Sequence, residues 1–129
     1  MSRLIIEFSN GLMTVVELRS EDTPTVDALK NAVPFAASAS RWGDEVYFET
    51  PASATLEDDA REVMEPGEVA YWPDGKALAL FFGRTPVSTD DKPRAYSPCN
   101  IVGRIAGDPV ALKSVSSGTA VKVSIEGQS

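Results

Sequence analysis

The chain opens with two runs of β-type residues, at positions 3–8 and 12–18, on either side of Asn10 and Gly11. Both of these residues tolerate the positive φ that a tight turn requires, so the pattern predicts a β-hairpin. Other apolar or alternating runs are bounded by glycine, proline or aspartate, and they predict further strands. These strands are expected at residues 45–50, 68–72, 77–82, 100–106 and 120–125, with a weaker one within residues 35–42.

Two short segments carry helical signals instead. Thr23 can accept a hydrogen bond at the start of a helix, and Pro24 suits the first helical position because that position needs no N–H donor. Apolar residues then recur at helical spacing until Pro34 ends the helix. Asp108 and Pro109 repeat the same starting signal and predict a second, shorter helical turn.

These elements amount to about eight strands and two short helices in 129 residues, the length of a single domain. The nearly continuous apolar run at residues 77–82 predicts a strand buried on both faces, and Gly103 indicates a bulge in its own strand. Because open strand edges invite aggregation, we expect a mainly β fold, a closed eight-stranded barrel with the helices at its ends. Residues 52–62 and 85–98 are interpreted as loops, the second long enough to be a binding element.

The composition excludes several kinds of chemistry. The chain has no histidine, which excludes Ser-His-Asp and Cys-His catalysis and histidine metal sites. Nineteen acidic and twelve basic residues give a net charge of −7, which argues against nucleic acid or an anionic membrane surface as a partner and favours a neutral or basic one. The acidic residues 57–59 are interpreted as solvated surface; a carboxylate metal site is the alternative, which the spacing does not support. We expect neither a metal nor a cofactor.

Cys99 is the single cysteine, so no intrachain disulfide can form, which suits a reducing compartment. With no histidine to activate it, we interpret Cys99 as a small apolar filler. The apolar residues 4–6 are too few for a signal-peptide core, and no run approaches the length of a membrane span. We therefore expect a soluble, cytoplasmic protein.

Three stretches together resemble a known family: residues 41–51 (RWGDEVYFETP), residues 66–86 (PGEVAYWPDGKALALFFGRTP) and residues 100–105 (NIVGRI). They are similar to small, uncharacterised bacterial and archaeal proteins with a cyclophilin-like fold, and the YWPDGKA and FFGRTP segments are specific to that family. The resemblance covers nearly the full length. It implies a single cyclophilin-like domain over residues 1–129, an eight-stranded β-barrel with helices at its ends.

The resemblance also implies a candidate site. Cyclophilins isomerise X-Pro bonds by holding the proline on an aromatic floor while an arginine polarises the amide. Arg41 would correspond to that arginine, Tyr47 and Glu49 would lie on the floor, and Phe82 would belong to the matching Phe-Phe pair. Trp72 precedes a Pro-Asp-Gly turn and is a candidate to stack on a ligand; the alternative is that it covers one end of the barrel.

The chain departs from the cyclophilin pattern at several positions. Leu80 stands where a glutamine precedes the phenylalanine pair, and the tryptophan and histidine of a later cyclophilin loop have no counterpart. Phe82 is expected to face the ligand and Phe81 the core, because adjacent strand residues point to opposite faces. Arg41 is the tentative catalytic residue; the alternative is a surface arginine.

We therefore expect a module that binds a peptide segment or a small apolar ligand, with a degenerate isomerase site. Two alternatives stay open. One is a weak peptidyl-prolyl cis-trans isomerase. The other is a structural or regulatory subunit that docks through an exposed strand or through residues 85–98, as a protein partner or a homo-oligomer.

Overall fold

The computed structural model describes residues 2–126, and this part of the chain is mainly β. It contains one α-helix, α1 (Pro24–Ala32), and one 3₁₀-helix (Pro109–Ser114). Neither helix in residues 2–126 has the length and apolar content that crossing a bilayer requires. The ten strands in these residues are β1 (Arg3–Phe8), β2 (Met13–Leu18), β3 (Phe35–Ser38), β4 (Ser40–Arg41), β5 (Glu45–Glu49), β6 (Arg61–Val63), β7 (Glu68–Trp72), β8 (Ala77–Phe81), β9 (Arg94–Ala106) and β10 (Ala120–Ile125).

The strands form one antiparallel sheet in the order β3-β10-β1-β2-β9-β7-β8-β5-β4, with β6 paired to β9 off this path. The prediction of a closed eight-stranded barrel is wrong, because within residues 2–126 no ladder joins the two ends of this order. The reason lies in residues 35–41, which supply both edges. At Ala39 the chain turns from one edge to the other, and its backbone is hydrogen-bonded to Gly118 and Thr119 rather than to a strand across the gap.

The local turn and capping signals are confirmed. β1 and β2 pair antiparallel around Gly11, whose φ is +97°. The hydroxyl of Thr23 accepts a hydrogen bond from the N–H of Val26 at 3.1 Å, at the start of α1. The carboxylate of Asp108 accepts one from the N–H of Val110 at 3.0 Å, at the start of the 3₁₀-helix.

The central strands are buried on both faces. One face of the sheet packs with α1 into the main core. The opposite face of β7 and β8 packs into a second, smaller cluster under β6 and the first part of β9. Two covered faces explain the continuous apolar sequence of residues 77–82, so the prediction for that strand is confirmed. The buried members of the smaller cluster are Met64, Ala70, Ala79, Phe81, Ala95 and Cys99.

The first part of β9 is a departure from the sequence-based expectation. The sequence predicts a loop over residues 94–98, yet these residues begin a 13-residue strand whose first part pairs with β6. The ladder between them shifts register between Arg61 and Val63, and such irregular pairing tolerates Pro98. The bulge expected at Gly103 is confirmed by a register shift opposite Val69.

Candidate functional site

An apolar cavity of about 290 Å³ opens on the face of the sheet that packs into the smaller cluster, opposite the main core. We call it the outer cavity. β5 and β8 contribute one wall, and the first part of β9 contributes the other. On β8, strand alternation directs Ala77, Ala79 and Phe81 toward it, and the two small alanines leave space that larger side chains would fill. Its aromatic lining residues are Trp42, Tyr47, Trp72, Phe81 and Tyr96.

Three of the aromatic rings form a contacting group. Tyr96 stands edge-on to both Trp42 and Trp72, with ring centroids 6.4 Å apart in each pair. The indole Nε1 of Trp72 donates to the Ser97 hydroxyl at 2.7 Å, and Gly75 lies so close to this ring that a Cβ there would be 2.5 Å from it. Trp72 is therefore held in place, whereas Tyr96 keeps 74 % of its surface exposed.

Glu45 supplies a carboxyl group to the outer cavity. Its side chain lies on the same strand face as Tyr47, two residues further on. Only 7 % of Glu45 is exposed, and within residues 2–126 its buried Oε1 has no hydrogen-bond partner. Burial raises the pKa of this carboxyl to about 8, because removal from water disfavours the charged form.

Cys99 also lines the outer cavity, and its environment makes it unreactive. Burial, together with the carboxylates of Glu45, Asp74 and Glu62, raises the pKa of the thiol to about 12. The thiol donates a weak hydrogen bond to the Ser97 carbonyl at 3.4 Å. Because the thiolate is the nucleophilic form, Cys99 acts as a packing residue, as the sequence predicts.

Two of the sequence-predicted site residues, Tyr47 and Trp72, line the outer cavity. Tyr47 also borders a separate groove, lined by residues 36–38, 40 and 47–51, and Glu49 lies in that groove. Tyr47 is thus the residue that the two depressions share.

Arg41 and Phe82 lie together but in a different place. The guanidinium carbon of Arg41 is 5.0 Å from the centre of the Phe82 ring. Phe82 is 5 % exposed and packs in the main core, so Phe81 is the member of the pair that lines the outer cavity. Phe81 is also fully buried in the smaller cluster, as a core residue is expected to be. Phe82 does not line the outer cavity as expected, because an all-apolar strand gives no sign of which face each ring joins.

The hydrogen bonds of Arg41 are directed at the protein itself. Its Nη1 donates to the carbonyls of Val115 at 2.8 Å and Lys113 at 3.2 Å, and its Nε donates to Gly43 at 3.0 Å. Asp44 lies 3.7 Å from its Nη2. Arg41 thus satisfies carbonyls at the end of the 3₁₀-helix, where a positive charge is favourable.

The acidic run at residues 57–59 is only partly a solvated surface. Asp58 and Asp59 are exposed, and Asp59 pairs with Arg19 at 2.8 Å. The carboxylate of Glu57 instead accepts hydrogen bonds from the N–H and hydroxyl of Thr25, which ties this segment to α1. In the part of the chain that the structure describes, no three potential metal ligands cluster together.

Glu45 and Tyr96 line the outer cavity but are not among the site residues that the sequence predicts. A usable signal exists for Glu45, since residues 45, 47 and 49 share one strand face with a tyrosine at the centre. Tyr96 offers no such signal, because it stands between Pro93 and Pro98 in a segment that reads as a loop.

Comparisons with known proteins agree with this architecture. The family model described as cyclophilin-like matches residues 2–124. The solution structure of the hypothetical protein AF2241 from Archaeoglobus fulgidus is similar, with 44 % sequence identity and a TM-score of 0.80 over 95 % of this chain and 92 % of that one. The search of curated proteins finds no match. The chain belongs to the cyclophilin-like family, as the resemblance of residues 41–51 and 66–86 implies.

Proposed function

We propose that this cyclophilin-like protein is a binding module that holds a small, largely apolar ligand, free or presented by a peptide segment, in the outer cavity. The observation that carries the proposal is the cavity itself, a space of about 290 Å³ lined by five aromatic rings that the protein's own side chains leave open. Concave sites with a mostly apolar lining and few polar groups are typical of small-molecule binding.

The walls of the outer cavity support binding because they are held before a ligand arrives. β5, β7 and β8 form continuous antiparallel ladders behind it. The hydrogen bond from Trp72 to Ser97 fixes the indole against the first part of β9. A preformed site loses little conformational entropy when it is occupied, so more of the contact energy is available as affinity.

The isomerase alternative has less support. Polarising a bound amide would require the guanidinium of Arg41 to leave the three carbonyls to which it donates. These carbonyls would then lose their charged donors, at a cost in stability. The proposed function therefore consists of binding, without isomerisation.

The proposal is tested by an NMR titration with benzyl alcohol as a small apolar probe. We expect saturable shifts at Tyr47, Trp72 and Tyr96 in the wild type. Ala79→Leu fills the floor of the outer cavity and is expected to weaken binding about tenfold or more. Ala111→Leu adds the same volume at an exposed position of the 3₁₀-helix and is expected to leave binding unchanged.

Tyr96→Ala provides a second variant, because this side chain is largely exposed and its removal does not threaten the fold. It is expected to weaken the probe's binding by removing one ring of the lining. Absence of saturable shifts in the wild type, or equal binding by the wild type and both cavity variants, would overturn the proposed function.

A further inference from the structure

We propose that the ligand of the outer cavity is an organic ammonium ion, an amine with an apolar substituent, whose N–H groups donate to Glu45 while the aromatic rings contact its apolar part. The inference rests on the proposed function, since it names the chemical class of ligand for that same cavity. It stands on three features of the site: an unpartnered carboxyl, an aromatic lining and a negative local charge.

The unpartnered carboxyl is the first feature. The chain buries a second carboxyl, Glu68, and there Arg61 donates to both carboxylate oxygens while the Glu65 N–H donates to one of them. At Glu45 the Oε1 atom is equally buried but unpartnered within residues 2–126. Burying a polar group without a partner is unfavourable, so a cavity that the Glu45 side chain lines favours a ligand that brings the missing donor.

The aromatic lining is the second feature. Tyr96 stands edge-on to both Trp42 and Trp72, and all three rings line the same cavity as Glu45. The negative potential of indole and phenol ring faces attracts ammonium groups, and their area covers alkyl or aryl substituents. Rings of this kind around a carboxylate accommodate both halves of an amine.

The local charge is the third feature. The titratable groups that line the outer cavity with Glu45 are Tyr47, Tyr96 and Cys99, and burial keeps the Cys99 thiol neutral by raising its pKa to about 12. The carboxylates of Asp74 and Glu62 also act on this thiol. Arg94 pairs with Glu62 at 3.1 Å, so the added negative potential comes mainly from Asp74. No lysine or arginine of residues 2–126 lines the cavity, so a bound cation meets attraction without a competing charge.

Glu45 also gives the complex a measurable proton signature. Because burial raises its pKa to about 8, the carboxyl of the free protein is mostly protonated at pH 7. A bound ammonium ion favours the carboxylate and lowers that pKa. Binding at pH 7 should therefore release a proton, and affinity should rise with pH until Glu45 is ionised in the free protein as well.

Isothermal titration calorimetry with benzylamine and benzyl alcohol tests the inference, because the two probes differ mainly in charge. We expect benzylamine to bind the wild type about tenfold more tightly than Glu45→Gln, with benzyl alcohol binding both to a similar extent. Glu49→Gln removes a charge from the same strand outside the outer cavity and is expected to match the wild type. Titrations in buffers of different ionisation enthalpy should show proton release with benzylamine.

The outcomes separate this inference from the proposed function. Benzyl alcohol binding as tightly as benzylamine, with Glu45→Gln unchanged for both, would overturn the ammonium assignment and leave the apolar cavity standing. Binding of benzyl alcohol without binding of benzylamine would also overturn the ammonium assignment and leave the apolar cavity standing, since Glu45 would then act as a neutral group. Failure of both probes to bind would overturn both proposals. If Glu45→Gln does not fold, proton release by the wild type decides, and its absence contradicts the inference.

Discussion

Arg41 can either stabilise the fold or bind a ligand, depending on which acceptors its guanidinium contacts. Arg41 satisfies carbonyls of Gly43, Lys113 and Val115. We predict that Arg41→Ala lowers the free energy of unfolding by about 1–3 kcal/mol, because carbonyls at the end of the 3₁₀-helix lose a charged donor. Binding of benzyl alcohol in the outer cavity should change less than about twofold. Urea denaturation and the NMR titration measure the two quantities.

Arg84→Ala is the matched control for this prediction. It removes the same charge from an exposed side chain, and the backbone carbonyl of Arg84 accepts a hydrogen bond from the Asp44 N–H, close to Arg41. This variant should leave the free energy of unfolding within about 0.5 kcal/mol of the wild type. The contrary result would be a proline-isomerisation rate above background that Arg41→Ala abolishes without loss of stability. Arg41 would then act on a substrate, as the resemblance to cyclophilins implies.

At the residue scale, the sequence identifies cavity residues only where their type stands out within a strand. Tyr47 and Trp72 are aromatic residues in clear strands, and both line the outer cavity. Glu45 shares a strand face with Tyr47, but this signal does not indicate that it is buried, because a glutamate at a strand end normally meets water. Its burial results from the packing of distant segments. Tyr96 reaches Trp42 and Trp72 only through long-range packing of β9, which no local pattern encodes.

At the scale of elements, two ion pairs within residues 2–126 hold β6 to its neighbours, and only one of them has a buried partner. Glu62 pairs with Arg94 of β9 at 3.1 Å, and both of these side chains are about one third exposed. β6 has three residues, and Arg61 joins it to Glu68 at the start of β7. Burial alone would raise the pKa of Glu68, but the hydrogen bonds from Arg61 and the Glu65 N–H outweigh it and lower the pKa. We predict that Arg61→Ala costs about 2–4 kcal/mol in urea denaturation at pH 7, because it leaves a buried carboxylate without its partner.

Arg3→Ala is the control at this scale. Its pair with Glu17 spans 3.4 Å between side chains that are nearly half exposed, so its loss should cost less than about 1 kcal/mol. The lowered pKa of Glu68 stabilises the folded state at pH values above the pKa that this carboxyl has in the unfolded chain. That stabilisation is lost as the pH falls through the pKa of the folded state. Arg61→Ala should reduce this loss in acid, and equal costs for both variants would contradict the assigned role.

Elements whose signals are local could be predicted from the sequence. The hairpin at Gly11 and the helix starts at Thr23 and Asp108 each depend on a few neighbouring residues. The first part of β9 could not, because it is a strand only by virtue of pairing with β6. Likewise, the apolar run of β8 predicts burial on both faces, but it does not tell which face Phe81 joins.

At the scale of the whole molecule, the sheet protects its edges by means other than closure. The edge strands β3 and β4 have four residues and two residues, and short edge strands offer little backbone for another chain to pair with. Short edge strands therefore protect the sheet without the closed barrel that the strand pattern predicts. Closure depends on the register between residues 35–41 and both ends of the sheet, and register across a gap is a long-range property.

Stability of the whole molecule should also depend on pH through Glu45. The pKa of Glu45 is about 8 in the folded protein and 4.5 in the unfolded chain. Between these two pH values, the folded protein retains a proton that the unfolded chain releases. This retained proton stabilises the folded state fully at pH values below the unfolded pKa of 4.5. The stabilisation decreases as the pH rises above 4.5 and is lost once the pH passes the folded pKa of about 8. We predict that Glu45→Gln, which stays neutral, is favoured over the wild type by up to about 4 kcal/mol more at pH 9 than at pH 5. Urea denaturation at several pH values measures this difference, with Glu49→Gln expected to follow the wild type. Parallel curves for the wild type and Glu45→Gln would mean that water or another group reaches this carboxylate, and the case for a cationic ligand would weaken with it.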